Sequence, residues 1–322
     1  MAVARRAGLC ESSPMIDWHS LFTGPLDRMS AMRRDDAWMA EKMRDHRTRF
    51  VLVWRDRNLL IAGDAPQAVT LAGPRVREIL TEAACETALL GLEGETAYFA
   101  ADLSHREPTA FAELLGQAEF VDIRNARPLL EESVGGLLLQ ARGLMYWHRQ
   151  NRFCAACGHP TLATTAGYSR RCTNADCGRE HFPRLDPAII VLVTRPTPEG
   201  EVCLLAHKAE WPDNRFSTIA GFVEPGETIE DAVRREVMEE TGVTVVETQY
   251  RGSQPWPFPA SLMLGFRASA VDPTIQVDND EVAEARWFTR DDILNAAQRG
   301  FSVTRGGSIS SWLVDGWLKE GA

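Results

Sequence analysis

The stretch Gly221-Phe-Val-Glu-Pro-Gly-Glu227-Thr-Ile-Glu-Asp-Ala-Val-Arg234-Arg235-Glu236-Val-Met-Glu239-Glu240-Thr-Gly242-Val243 decides the reading. Gly221, Pro225 and Gly226 make a loop that turns into a helix over 228–240, and Gly242 follows as its C-terminal stop. At about 100° per residue, Glu236, Glu239 and Glu240 share one face, being related by i,i+3 and i,i+4. Three like charges so close repel one another, and the negative end of the helix dipole disfavours them further. Oxygen-preferring divalent cations, Mg²⁺ or Mn²⁺, remove that conflict. Such ions polarise a phosphoryl oxygen, activate a water and neutralise a leaving phosphate, and the cluster itself offers a carboxylate to take the water's proton. Taken alone, an Arg-Glu-x-x-Glu-Glu face is what most Glu-rich helices show to solvent.

The whole string is far more specific than that face. It matches Gly-x5-Glu-x7-Arg-Glu-U-x-Glu-Glu-x-Gly-U, with U aliphatic, at every defined position from Gly221 to Val243, and so resembles the box of the Nudix hydrolases. The resemblance implies a mixed-sheet α/β/α sandwich that hydrolyses a nucleoside diphosphate linked to another moiety. It also implies that Glu236, Glu239 and Glu240 bind metal and act in catalysis, with Glu240 the most sensitive to mutation and the identity of the base left open. The resemblance further implies that Glu227 and Arg235 pair to hold loop against helix.

Downstream lies Ser253-Gln254-Pro255-Trp256-Pro257-Phe258-Pro259-Ala260-Ser261-Leu262-Met263. Prolines at every second position remove backbone donors and fix φ, so this is neither helix nor central strand. Trp256 and Phe258 ride on a stiff strut, a suitable platform for stacking a nucleobase. The segment resembles the signature of the NADH pyrophosphatases (the NudC-type Nudix family), which act on NADH, NAD⁺ and, in several members, NAD-capped RNA. That resemblance implies substrate contacts from Gln254, Pro255, Trp256, Pro257, Phe258, Pro259, Ala260 and Ser261. It adds Glu281 as a further metal-binding glutamate, with Glu284 the alternative, and Ala220 as a backbone metal contact. Phe182, Phe222 and Ser310 match further substrate-binding positions.

Cys154-Ala-Ala-Cys157-Gly-His159 and Cys172-Thr-Asn-Ala-Asp-Cys177-Gly178 are two Cys pairs, each followed by Gly. They read as the knuckles of a four-thiolate zinc ribbon, whose full coordination shell makes the Zn²⁺ structural. The NADH pyrophosphatases carry such a ribbon at this place. The second pair is separated by four residues where two are usual, which loosens the expectation of tight metal binding. His159 and His181 could substitute as ligands, but read rather as neighbours of the site or surface residues. Cys203 reads as a core residue, and Cys10 and Cys85 are scattered.

The chain of 322 residues has 44% hydrophobic and 25% charged residues, ordinary for a folded protein. Its net charge of −10 argues against a general nucleic-acid binder. Bound cations can still reverse the local field for polyphosphate. The N-terminus has a basic start without an apolar core, no stretch has the length of a membrane span, and clustered cysteines suit a reducing cytosol, so the expectation is a cytoplasmic protein without membrane contact. Arg49 to Trp54 and Asn58 to Ala62 predict a hairpin, and residues 96–100 another strand. Residues 129–150 predict a helix leading to the cysteines. Residues 188–193, 202–206, 243–246 and 262–270 predict strands, and residues 291–299 and 308–319 helices. The fold class is α+β: an N-terminal mixed α/β domain (1–150), the ribbon (151–184) and a Nudix sandwich (185–322). The expected reaction is metal-dependent hydrolysis of NAD(H) to nicotinamide mononucleotide and AMP, extending to NAD caps of RNA, by a homodimer as in the family. ADP-ribose or a dinucleoside polyphosphate is the alternative substrate, and a ribbon-based RNA-binding or regulatory protein the non-enzymatic reading.

Overall fold

The computed structural model describes residues 26–126, 130, 132–211, 214–277, 281–304 and 306–321, so the N-terminal leader reading and Cys10 lie outside the described residues. The expected hairpin is present. β1 (Arg49–Trp54) and β2 (Arg57–Ile61) pair antiparallel, with Val53 opposite Asn58 and Trp54 opposite Arg57. Their two-residue turn, Arg55-Asp56, has positive φ at both positions, 46° and 65°, as a tight hairpin turn requires. β3 (Gln67–Ala68), β4 (Thr70–Leu71), β5 (Thr87–Glu93), β6 (Thr96–Asp102) and β7 (Glu119–Val121) complete a sheet ordered β3-β2-β1-β6-β5, with β4 on β1 and β7 on β2. Helices α1 (Asp36–Arg44), α2 (Pro74–Glu82), α3 (Ala112–Leu115), α4 (Ile123–Ala126) and α5 (Glu132–Gln150) accompany it. Successive β1 side chains serve opposite faces. Phe50 and Leu52 join Val76, Ile79 and Leu80 of α2, whereas Val51 and Val53 join Leu137, Leu138 and Leu144 of α5.

The ribbon is a small antiparallel sheet, β10-β9-β8, of β8 (Thr161–Thr164), β9 (Ser169–Cys172) and β10 (Glu180–His181). The last unit opens with β11 (Asp186–Thr197), β12 (Gly200–His207), β13 (Arg215–Phe216) and β14 (Ile219–Phe222), followed by the glutamate helix α6 (Ile229–Thr241). β15 (Val245–Trp256), β16 (Ser261–Ala270), β17 (Glu284–Phe288), α7 (Arg290–Leu294), β18 (Ser302–Val303) and α8 (Ile309–Glu320) close it. The main sheet runs β15-β16-β11-β12-β17, with β14 also on β11; β11 and β16 are parallel and the other pairs antiparallel. Ile189, Val191 and Val193 of β11 pack with Ala232, Val233 and Val237 of α6. Ile190 and Leu192 pack with Ile309, Leu313 and Trp317 of α8. Alternation along one strand thus makes the mixed-sheet sandwich. The α8 side joins the cluster that contains α5, so the sandwich and the N-terminal domain share a core.

Two expectations need correction. The strand expected over 243–246 starts at Val245 and continues to Trp256, taking in Gln254 and Pro255. It tolerates Pro255 because β15 is an edge strand. The single helix expected over 291–299 is α7 and then a 3-10 turn, Ala296–Arg299, broken at Asn295, whose side chain bonds back to the Asp291 carbonyl and carboxylate. No helix among the described residues is long and apolar enough to cross a membrane.

A buried polar network joins ribbon to N-terminal domain. Arg170 of β9 donates to Glu86 (2.6 Å), to His148 Nδ1 of α5 (2.7 Å) and to the Thr161 carbonyl (2.8 Å). The Gly167 carbonyl 2.9 Å from Nε2 can only accept, so the imidazole carries its proton there and receives from Arg170 at Nδ1. Burial lowers the His148 pKa, in keeping with a neutral ring. Gly167 is itself dictated: its φ is +87°, and a Cβ would stand 2.4 Å from that of Ala88. Arg170→Met should therefore cost about 3 kcal/mol, the scale for breaking a buried pair, in urea unfolding of the intact chain. A loss near zero would show that the network contributes nothing to the joint.

Candidate active site

The glutamate helix is anchored at both ends. Thr228 caps it, its hydroxyl accepting from the Asp231 amide at 3.2 Å, and Gly242, at φ 68°, donates to the Met238 carbonyl at 2.8 Å. β14 runs alongside, with Ala220 opposite Ile190 and Gly221 opposite Ile189 of β11. A Cβ on Gly221 would lie 1.9 Å from the Glu236 carboxyl carbon. Only glycine lets that carboxylate lie against the strand.

Arg235 organises the rest. It grips Glu227 with two parallel bonds, 2.8 Å from Nε and 2.9 Å from Nη2. Nη1 reaches Glu236 at 2.8 Å and Glu239 at 3.0 Å, and Nη2 also donates to the Phe222 carbonyl at 2.9 Å. The guanidinium and the Glu224 amide together hold the Glu227 carboxyl at about 2, well below the usual carboxylate range. Burial pushes Glu236 the other way, upward. Glu240 is 3% exposed. Its partner in charge is Lys208, at the end of β12, whose ammonium stands 3.8 Å from Glu240 and 3.3 Å from Glu281. Glu284, the alternative to Glu281, instead pairs with Arg286 on β17.

The carboxylates therefore share one region without converging on one point. Among the described residues, only the four cysteines place their ligand atoms within 4.8 Å of one another. The donor set still suits a hard divalent ion, being carboxylate oxygens, with that of Glu236 seated over the Gly221 cradle. Lys208 escaped the sequence reading, since a lone lysine after a strand carries no spacing signal.

The Pro-aromatic segment lies where β15 turns into β16. Trp256 and Phe258 meet edge to face with ring centroids 5.1 Å apart. Gln254, 1% exposed, spends its amide inside the protein: Oε1 accepts from the Ile309 amide at 2.8 Å and Nε2 donates to the Gly307 carbonyl at 3.1 Å. The Ser310 hydroxyl is also buried, 2.9 Å from those of Ser217 and Thr218. Pro257 is buried, Pro255 and Pro259 are exposed, Ala260 is half-buried, and Ser261 begins β16. Phe182 and Phe222 stand out into solvent, 65% and 61% exposed.

The cysteine site forms despite its widened second knuckle. The Cys154 and Cys177 sulfurs are 3.8 Å apart and those of Cys157 and Cys172 3.4 Å. The Ala156 amide, pointing at Cys154, draws that thiol down to about 6, whereas burial pushes Cys172 up to about 12. His181 Nε2 lies 3.3 Å from the Cys154 sulfur, and His159 Nδ1 contacts the Cys157 carbonyl. Both histidines are neighbours of a four-sulfur set that fits zinc.

Comparison with known families agrees with this division. Residues 47–147 match an NADH pyrophosphatase-like rudimentary NUDIX domain, residues 149–182 an NADH pyrophosphatase zinc ribbon domain, and residues 184–305 a NUDIX domain. Among curated proteins, the chain is 42% identical over 200 residues to the NAD-capped RNA hydrolase NUDT12 of Homo sapiens, covering 59% of this chain and 43% of that one. It is 45% identical over 184 residues to the NAD-capped RNA hydrolase NudC of Mycobacterium bovis, covering 57% of each. The chain thus spans about half the length of the curated relatives it matches. With a rudimentary Nudix domain, a four-cysteine ribbon and a complete Nudix domain in series, the chain belongs to the NudC-type NADH pyrophosphatase family of Nudix proteins.

Proposed function

We propose that this protein hydrolyses the pyrophosphate of NAD(H), giving nicotinamide mononucleotide and AMP, and that NAD caps of RNA are a further substrate. The observation that carries the reading is the complete glutamate helix set against Gly221 on the same sheet whose edge ends in the Pro-aromatic segment. The similarity to NAD-capped RNA hydrolases supports it.

In this reading Glu236, Glu239, Glu240 and Glu281 hold Mg²⁺ or Mn²⁺, with the backbone of Ala220 beside them. The bound ion supplies Lewis acidity toward the diphosphate oxygens and lowers the pKa of water. A carboxylate of the cluster accepts the proton of the attacking water as the P–O–P bridge breaks. Arg235 and Glu227 fix the loop against the helix, which keeps the carboxylates in register. Trp256 offers a face to a base, residues 254–261 shape its pocket, Phe182 and Phe222 belong to the surrounding surface, and the buried Ser310 acts from beneath it through Ser217 and Thr218. Cys154, Cys157, Cys172 and Cys177 hold one structural Zn²⁺. The division at 1–150, 151–184 and 185–322, a homodimeric state and a cytoplasmic location complete the proposal.

Purified protein with Mg²⁺ or Mn²⁺ should cleave NADH in preference to ADP-ribose, and chelation should abolish turnover. Glu240→Gln should lower kcat by orders of magnitude with the fold intact. Preference for ADP-ribose would sink the substrate assignment, and near-normal turnover of the variant would remove Glu240 from the mechanism.

Elemental analysis of fresh protein should find about one zinc per chain, and Cys157→Ser should cost stability before chemistry. Protein that is folded, active and zinc-free would overturn the structural role.

The Glu227–Arg235 clamp has a defined pH signature. A carboxyl whose folded pKa is lowered contributes stability that is complete above its unfolded value near 4.3 and is lost as pH falls toward about 2. The stability difference between wild type and Glu227→Gln should therefore be full at pH 6 and shrink steadily below about pH 4. A difference independent of pH would show that the bond to Arg235 does not hold the carboxylate charged.

A further inference from the structure

Phe258 was read from the sequence as half of a platform for a base. Its surroundings assign it other work. The ring packs against the shared core of α5 and α8, and Arg142 of α5 lays its guanidinium over it, Cζ 4.4 Å from the centroid. Arg124, from α4, stands 5.6 Å from the same ring. Beside Arg142, Gly143 faces Pro257, where a Cβ would make van der Waals contact 3.4 Å from the proline Cβ. The N-terminal domain therefore grips two consecutive residues of the segment that carries Trp256.

Arg142 is built into that domain for this contact. It is 6% exposed, and its Nε donates at 3.0 Å to the Asp56 carbonyl in the β1–β2 turn. Asp56 is fixed in turn by an ion pair with Arg149, about two turns further along the same face of α5. Nη1 of Arg142 is buried without a hydrogen-bond partner among the described residues. A buried, unpaired guanidinium nitrogen is costly unless something compensates, and the face of an aromatic ring does so. The ring passes the constraint on: the Phe258 amide donates to the Trp256 carbonyl at 2.7 Å, and the two rings meet edge to face.

We infer that Arg142 is a positioning residue for the reaction: through Phe258 and Pro257 the rudimentary N-terminal domain holds Trp256 at the angle from which it meets its base. The inference rests on the proposed use of the Pro-aromatic segment as the dinucleotide site. Arg142 meets the Phe258 ring and the Asp56 carbonyl, on the Pro-aromatic side of the site and not at the glutamate helix, so its loss should act on binding before chemistry.

The test uses the full chain with Arg142→Met, Arg142→Lys, Phe258→Leu and the double variant Arg142→Met/Phe258→Leu. Hydrogen exchange at Gln254, Trp256, Phe258, Ala260 and Ser261 is followed alongside the KM and kcat for NAD⁺. Arg142→Met should speed exchange of these amides by about tenfold or more, with zinc content and far-UV spectrum unchanged. It should raise KM by about five- to tenfold with a smaller change in kcat, and the lysine variant should fall between. Phe258→Leu should have the same effect, and the double variant should add little to either. Wild-type exchange in folded Arg142→Met, or effects of the two substitutions that multiply, would overturn the brace. If Arg142→Met does not fold, Arg142→Lys and Phe258→Leu decide by the same exchange measurement. Wild-type protein that ignores NAD⁺ would sink the substrate reading, and the exchange data would still decide whether Arg142 holds the segment.

Discussion

β11 is buried on both faces, and the rest of the architecture follows from that constraint. A strand with Ile189, Val191 and Val193 on one side and Ile190 and Leu192 on the other needs an apolar layer above and below. α6 supplies one layer and α8 the other. Because α6 buries Ala232, Val233 and Val237 against the sheet, Glu236 and Glu240, which at about 100° per residue fall between Ala232 and Val233 around the helix, are carried to the same sheet-facing side, where Glu236 lies against Gly221 of β14 and Glu240 is buried. The position of the acidic group is thus a by-product of core packing. The acidic group is placed by residues of the core.

The acidic group is also more balanced than its sequence implies. On the helix alone the glutamates simply repel. In the fold Arg235 binds Glu227, Glu236 and Glu239 at once, and Lys208 lies between Glu240 and Glu281. One cation comes from within the helix and was visible in the motif. The other arrives from β12 through tertiary contact alone. Two cations against five carboxylates leave an excess of negative charge, so the protein relieves the repulsion without removing the attraction for a divalent ion.

This contrast runs through the whole molecule. The β1–β2 hairpin, the double-sided β11 run, the capped glutamate helix and the cysteine knuckles were legible because each is specified by local periodicity or spacing. The role of Gln254 was not, because both bonds of its amide go to residues distant in the chain. Phe258 read as a free platform for the same reason: its partner Arg142 sits on a helix of another domain. Gly143 carries no signal in the helical pattern of α5, yet it is where Pro257 approaches. Asn295 broke an expected helix through its own side chain, a competition with the backbone that periodicity does not register.

The contact between ribbon and N-terminal domain bears on how such a protein is inherited. Units that recombine freely meet at boundaries crossed by few contacts. Here Arg170 leaves the ribbon to reach Glu86 and His148, Gln140 bonds the Tyr168 hydroxyl at 2.8 Å, and the backbone of Gly167 rests on Ala88. A ribbon swapped in from a distant relative would have to bring both the arginine and the glycine, since the carboxylate and the imidazole they meet stay behind in the N-terminal domain, and loss of the arginine leaves His148 Nδ1 without its donor while loss of the glycine makes a clash with Ala88. The first two units are therefore expected to travel through evolution as one, their sequences drifting in step.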